Sequence, residues 1–98
     1  MNTEILLEDF RAEQSSVVSG YHNIYYRGEK IGTLLIGVTN TLGVSIPNVL
    51  FETENGTRYN TGVDLAEIVE IDSLEGGYKK LLPIVSKLYS YHLGRKDL

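Results

Sequence analysis

Val49-Leu50-Phe51-Glu52-Thr53-Glu54-Asn55-Gly56-Thr57-Arg58-Tyr59-Asn60-Thr61 is the stretch on which the fold turns. Asn55-Gly56 is a strong hairpin signal, because both residue types accept the positive φ that a tight reversal needs. A two-residue loop would pair Glu52 with Tyr59 and Thr53 with Arg58, sending Phe51 and Tyr59 to opposite faces. A three-residue loop, with Gly56 as the left-handed residue of a bulge, pairs Phe51 with Tyr59 and Glu52 with Arg58. The second register gathers the aromatic rings on an inner face and leaves an ion pair outside, so the sequence favours it.

Upstream, Tyr21 to Tyr26 alternates aromatic and polar residues, Arg27-Gly28-Glu29-Lys30 carries turn chemistry, and Ile31 to Val38 has strand character. The pair reads as a hairpin with Gly28 in its turn, but its register stays open. A turn centred on Gly28-Glu29 sets Tyr26 against Ile31 and Tyr25 over Gly32 while opposing Arg27 to Lys30, an unfavourable like-charge pair. Downstream, Asp64-Leu65-Ala66-Glu67 matches a capping box and predicts at least one helical turn. Ile68, Val69 and Ile71 then favour a short closing strand, although Leu65, Ile68 and Val69 also suit a helix to about Leu74.

Both ends read as helices. Over residues 3–14, Thr3 is a cap, Glu4 suits the positive helix end, and Leu6, Leu7, Phe10 and Gln14 fall near one stripe. From Pro83 to Leu93, Pro83 belongs in the first turn, and Ile84, Leu88 and Tyr91 form a stripe with Val85 beside it. Gly94 is a natural stop, and Arg95-Lys96 suit the negative helix end. The expected fold is α+β: a strongly bent antiparallel sheet or small SH3-like β-barrel of about five strands, flanked by an N-terminal and a C-terminal helix.

Composition supports a single domain over residues 1–98, with 42% hydrophobic and 22% charged residues, near ordinary globular values. No apolar run approaches the roughly 18 to 20 residues that cross a bilayer, so no membrane partner is expected. The first residues lack a positive leader, and Glu4, Glu8, Asp9 and Glu13 disfavour a transit peptide, which points to a cytoplasmic location. Cysteine is absent, excluding disulfides, thiolate nucleophiles and cysteine zinc sites. The net charge of −4 is unevenly spread. Glu52, Glu54, Asp64, Glu67, Glu70, Asp72 and Glu75 face only Arg58, and the sign then reverses with Lys79, Lys80, Lys87, Arg95 and Lys96 against Asp97. Such polarity can orient a partner protein or a second copy, so a homodimer is among the expectations.

Little catalytic chemistry is encoded. His22 and His92 stand apart from any metal-type partner and read as structural or surface residues. Asp64, Glu67, Glu70 and Asp72 are explained by the cap and by a solvated strand face. Gly32, Gly37 and Gly43 match no phosphate-binding pattern and suit bends and turns. Asn55-Gly56-Thr57 fits a glycosylation sequon, idle without export. No catalytic residue, metal site or cofactor is expected; an enzyme would need Asp64 or Glu67 to converge with a histidine in a pocket.

Tyrosine stands out, at seven residues against two Phe and no Trp. Being rigid, large and able to hydrogen-bond, it is enriched at recognition surfaces. Tyr21, Tyr25, Tyr26, Tyr89 and Tyr91, with Arg27, Lys30 and Arg58, are therefore the candidate binding residues. The leading expectation is a non-catalytic protein-binding module, an adaptor or an inhibitor of a larger machine, of the kind a phage or other bacterial mobile element encodes. The runner-up is a small nucleic-acid-binding barrel in which tyrosines stack on bases and cations track phosphates, a reading the acidic middle disfavours.

Overall fold

The computed structural model describes residues 5–69 and 74–96. A 3-10 turn at Leu7–Asp9 leads into five strands, β1 Phe10–Gln14, β2 Tyr21–Tyr26, β3 Glu29–Thr41, β4 Val44–Thr53 and β5 Arg58–Asn60. Two helices follow, α1 Leu65–Val69 and α2 Leu74–Lys96. The strands lie side by side in chain order, and every pairing is antiparallel. The sheet is not closed: β1 and β5 are its two edges, and no register joins them. Short connections between sequential antiparallel strands give this meander without any crossover.

The hairpin at Asn55-Gly56 has the favoured register. Phe51 opposes Tyr59, Glu52 opposes Arg58, and Gly56 takes the left-handed φ of 89°. Thr53 closes the loop, its N–H donating to the Thr57 carbonyl at 2.9 Å and its hydroxyl bonding the Asn55 side chain. The β2–β3 turn is centred on Arg27-Gly28, with φ of 51° and 82°, so Tyr26 opposes Glu29 and Tyr25 opposes Lys30. This placement removes the Arg27–Lys30 clash that a turn at Gly28-Glu29 would have created. Between the Tyr25–Lys30 and Ile24–Gly32 pairs the register shifts, making Ile31 the extra residue of a bulge and carrying its side chain into the core.

Alternation then sorts the sheet into two faces. Phe10, Ile24, Leu34, Val49 and Phe51 line the inner face and bury against Leu81 and Val85 of α2. Gly32 is required where this face is tightest: a Cβ there would stand 2.8 Å from Phe51 Cε1.

Three expectations are corrected. Among the described residues the N-terminal helix is absent, Thr3 and Glu4 lying outside them; residues 10–14 are strand β1, because Phe10 and Ala12 alternate with Arg11 and Glu13 and find partners on β2 at Tyr26 and Ile24. The helical stripe of Leu6, Leu7, Phe10 and Gln14 was a coincidence of spacing. Ile68 and Val69 are helical, since α1 brings Leu65 and Ile68 together onto the core; Ile71 lies outside the described residues. The C-terminal helix begins at Leu74, runs through Pro83 and continues past Gly94. Proline in a helix interior costs about 3 kcal/mol and strips Lys79 of its carbonyl's donor. Lys79 is exposed, so water can serve that carbonyl, while Leu81 is fully buried in the turn around the proline. The inward stripe consists of Leu81, Val85, Leu88, Tyr89 and His92, which leaves Tyr91 exposed.

Among the described residues, no helix is long and apolar enough to cross a membrane.

Candidate functional site

With α2 on one side, no element among the described residues covers the opposite face of the sheet, and the register writes that face out row by row. One row runs Arg11, Tyr25, Lys30; the next Glu13, Asn23, Thr33, Glu52, Arg58; the third Tyr21, Leu35, Leu50, Asn60. None of these residues is buried, and Tyr21 is 42% exposed. Leu35 and Leu50 are there because both strands carry three consecutive apolar residues, Leu34-Leu35-Ile36 and Val49-Leu50-Phe51. Alternation sends the outer two of each triplet inward and the middle one outward. The result is a cross-strand apolar pair at the surface beside Tyr21, with Tyr25 and its cations along the other end of the face.

Of the eight residues singled out from sequence, four share this face: Tyr21, Tyr25, Lys30 and Arg58. Tyr26 and Tyr89 lie on the inner side, in an aromatic cluster with Phe10; ring centroids are 4.8 Å apart for Phe10–Tyr26, 5.7 Å for Tyr26–Tyr89 and 6.0 Å for Phe10–Tyr89. Burial, then the charges of Glu29 and Tyr26, raises the Tyr89 pKa. Arg27 sits in the β2–β3 turn over the Tyr26 ring. Tyr91 stands on the exposed side of α2, edge-on to Tyr59 and beneath Arg95. Leu35, Leu50 and Arg11 were missed; the paired apolar triplets were the signal for the first two.

The cations are largely committed. Arg27 Nε lies 3.0 Å from Asp9 Oδ2, Arg58 Nε 3.0 Å from Glu52 Oε2, and Lys30 Nζ 3.7 Å from Glu54 Oε1. Arg11 instead stacks on Tyr25, 4.9 Å above its ring centroid. Exposed pairs of this kind contribute at most about 1 kcal/mol each to stability, but they lower the positive potential that the face presents.

Each histidine joins α2 to the sheet through a tyrosine. His22 on β2 is buried, with Nδ1 2.9 Å from the Tyr78 hydroxyl of α2; His92 of α2 is buried, with Nδ1 2.8 Å from the Tyr59 hydroxyl of β5. The two Tyr–His bonds lie fourteen residues apart along α2, about 21 Å at helical rise, and pin both ends of the helix to the sheet. Burial lowers the His22 pKa, and burial followed by the charge of Glu13 raises that of Tyr78.

A shallow hollow of about 230 Å³ lies between Tyr89, His92 and Leu93 of α2, the start of β3 at Glu29 and Lys30, and the β4–β5 loop at Glu54 and Asn55. A smaller one of about 170 Å³ adjoins it at Thr57, Tyr59, His92 and Arg95. Asp64 and Glu67 line neither: the Ala66 N–H donates to Asp64 Oδ1 at 3.0 Å, and Glu67 pairs with Lys80 at 2.6 Å. The convergence of these carboxylates with a histidine that catalysis would need is therefore not formed in either hollow. Among the described residues, no three His, Asp or Glu side chains gather as metal ligands.

The chain matches no known protein family, no curated protein and no solved structure.

Proposed function

We propose that the protein is a non-catalytic protein-binding module that docks a partner on the uncovered face of its sheet. The observation that carries this reading is the outward Leu35–Leu50 pair beside Tyr21, with Tyr25 and Arg11 stacked on the same face. Large rigid tyrosines around an apolar pair, rimmed by charged residues of both signs, have the composition of a protein-recognition patch. A partner that presents its own apolar centre and polar rim would complement it, as suits an adaptor or an inhibitor of a larger machine.

The nucleic-acid reading is less well supported. Arg27, Lys30 and Arg58 each hold a carboxylate, and Glu13 and Glu52 stand in the central row, where phosphates would meet negative charge.

Affinity capture from host extract with the wild-type chain and with Tyr21→Ala/Tyr25→Ala tests the proposal. Wild type should retain one stoichiometric partner that the double variant loses while melting at nearly the same temperature. Salt-sensitive retardation of oligonucleotides by the wild type, abolished in the same variant, would replace the proposal with the second reading.

A further inference from the structure

Strand β3 is far longer than its neighbour β2: the β2–β3 pairing ends at Tyr21–Leu35, and β5 pairs with β4 only at Leu50 and beyond. Gly37–Thr41 and Val44–Asn48 therefore run out of the sheet as a two-stranded ribbon, closed by a Leu42-Gly43 turn with φ of 52° and 79°. An isolated two-stranded ribbon is marginal in water, and its unpaired edges are templates for another strand.

The two edges are not equivalent. The Ile36 N–H donates outward to the Gly20 carbonyl at 2.8 Å, so by alternation Val38 and Asn40 also turn their N–H and C=O groups away from β4. On the other side, the Val49 carbonyl accepts outward from the Thr61 N–H at 3.1 Å, so Pro47 also faces outward, where it has no N–H to offer. The β4 edge is blunted, and among the described residues the β3 edge is open. No Asp, Glu, Lys or Arg occurs between Lys30 and Glu52, so none of the charges that guard exposed edges lies on this strand.

We propose that the open β3 edge pairs antiparallel with the β3 edge of a second copy of this chain, about a twofold axis at Thr39. An uncharged strand can meet its own copy without like-charge opposition, and a twofold antiparallel pairing is self-complementary. The register follows from the backbone. With Thr39 at the axis, Val38 opposes Asn40 of the copy and Asn40 opposes its Val38, and each pair exchanges two N–H···O bonds. An axis at Val38 would require the Ile36 backbone, already held by Gly20; an axis at Asn40 would oppose Val38 to Leu42, whose φ of 52° is not extended. The Thr39 axis also lays each Leu42 opposite the copy's Ile36, against the β1–β2 loop that holds Val17 and Val18. Leu42 is 98% exposed, Val17 88% and Val18 42%, and the pairing gives these side chains cover.

The chain has no cysteine, so Thr39→Cys introduces a single thiol. At the axis the two copies of this position form a non-hydrogen-bonded pair with Cα atoms about 4.5 Å apart, within disulfide range. Mild oxidation should link most of Thr39→Cys into a covalent dimer and leave Ser90→Cys, on the exposed surface of α2, monomeric. In analytical ultracentrifugation the wild type should dimerise reversibly. Val38→Pro deletes two of the four exchanged bonds and should weaken dimerisation on the order of tenfold to a hundredfold. A wild type that stays monomeric at millimolar concentration, a Thr39→Cys no more easily linked than Ser90→Cys, or a folded Val38→Pro of undiminished affinity would overturn the pairing, whatever else occupies the edge. None of these results bears on the outer-face partner, which is read by capture.

Discussion

Tyr78→Phe probes how the helix is fixed to the sheet. It deletes one oxygen, the one 2.9 Å from His22 Nδ1, and leaves the ring that meets the imidazole edge-on at 5.6 Å. His22 is only 5% exposed, so its ring nitrogen cannot recover the lost partner from bulk water. Leaving a buried polar atom unsatisfied costs about 1–3 kcal/mol, against 0.5–1.5 kcal/mol for the net value of an ordinary bond. For a chain of this size each kcal/mol lowers the melting temperature by roughly 4–8 °C, so the expected loss is on the order of 4 to 24 °C. The assay is a thermal and urea melt of Tyr78→Phe, His22→Leu and the double variant at pH 7.5. Removing both partners strands no polar atom, so the double variant should be more stable than the two single losses imply, with a coupling of about 1 kcal/mol or more. A Tyr78→Phe chain within about 0.5 kcal/mol of wild type, or strictly additive effects, would show that this bond does not anchor α2.

The same histidine sets a pH response. Burial lowers its pKa below the ordinary 6.5, so His22 contributes stability that is full above about pH 6.5 and lost as the pH falls through the lowered value. Melts from pH 8 to pH 4.5 should show a decline that His22→Leu reduces. Gly32→Ala forces a methyl against Phe51 and the Glu52 carbonyl, and should cost about 1–3 kcal/mol in a urea titration. Gly56→Ala places a side chain at φ 89° in an otherwise open loop and should cost about 1–2 kcal/mol by the same measurement, with no change in partner binding.

The sequence disclosed those parts of the fold that depend on neighbours in the chain. The Asn55-Gly56 hairpin and its Phe51–Tyr59 register were legible because turn chemistry and alternation agreed within thirteen residues. The Asp64 cap was legible for the same reason. What it concealed depends on distant partners. Phe10 and Ala12 become strand because β2 offers Tyr26 and Ile24, and nothing local distinguishes that from a helical stripe. Pro83 reads as a helix start until Leu81 and Tyr78 are seen to hold the preceding turns against the sheet. On the candidate surface, tyrosine enrichment found Tyr21 and Tyr25 but could not tell them from Tyr26 and Tyr89, which share their chemistry and face the other way. The hairpin register foretold the Glu52–Arg58 pair, but the charge split between the acidic middle and the basic end did not foretell Arg27–Asp9 or Lys30–Glu54, so that all three candidate cations have a carboxylate within reach.

Recognition through the uncovered sheet face is tested most directly by Leu35→Lys/Leu50→Glu. Opposite charges at directly opposed strand positions contribute roughly 0.2–1 kcal/mol, so the sheet should retain its stability while its outward apolar pair is gone. Capture of the partner by this variant and by wild type should give equal melting temperatures and binding by wild type alone. A variant that fails to fold, which would mean this face is core, or one that still holds the partner at wild-type stoichiometry, would contradict the assignment.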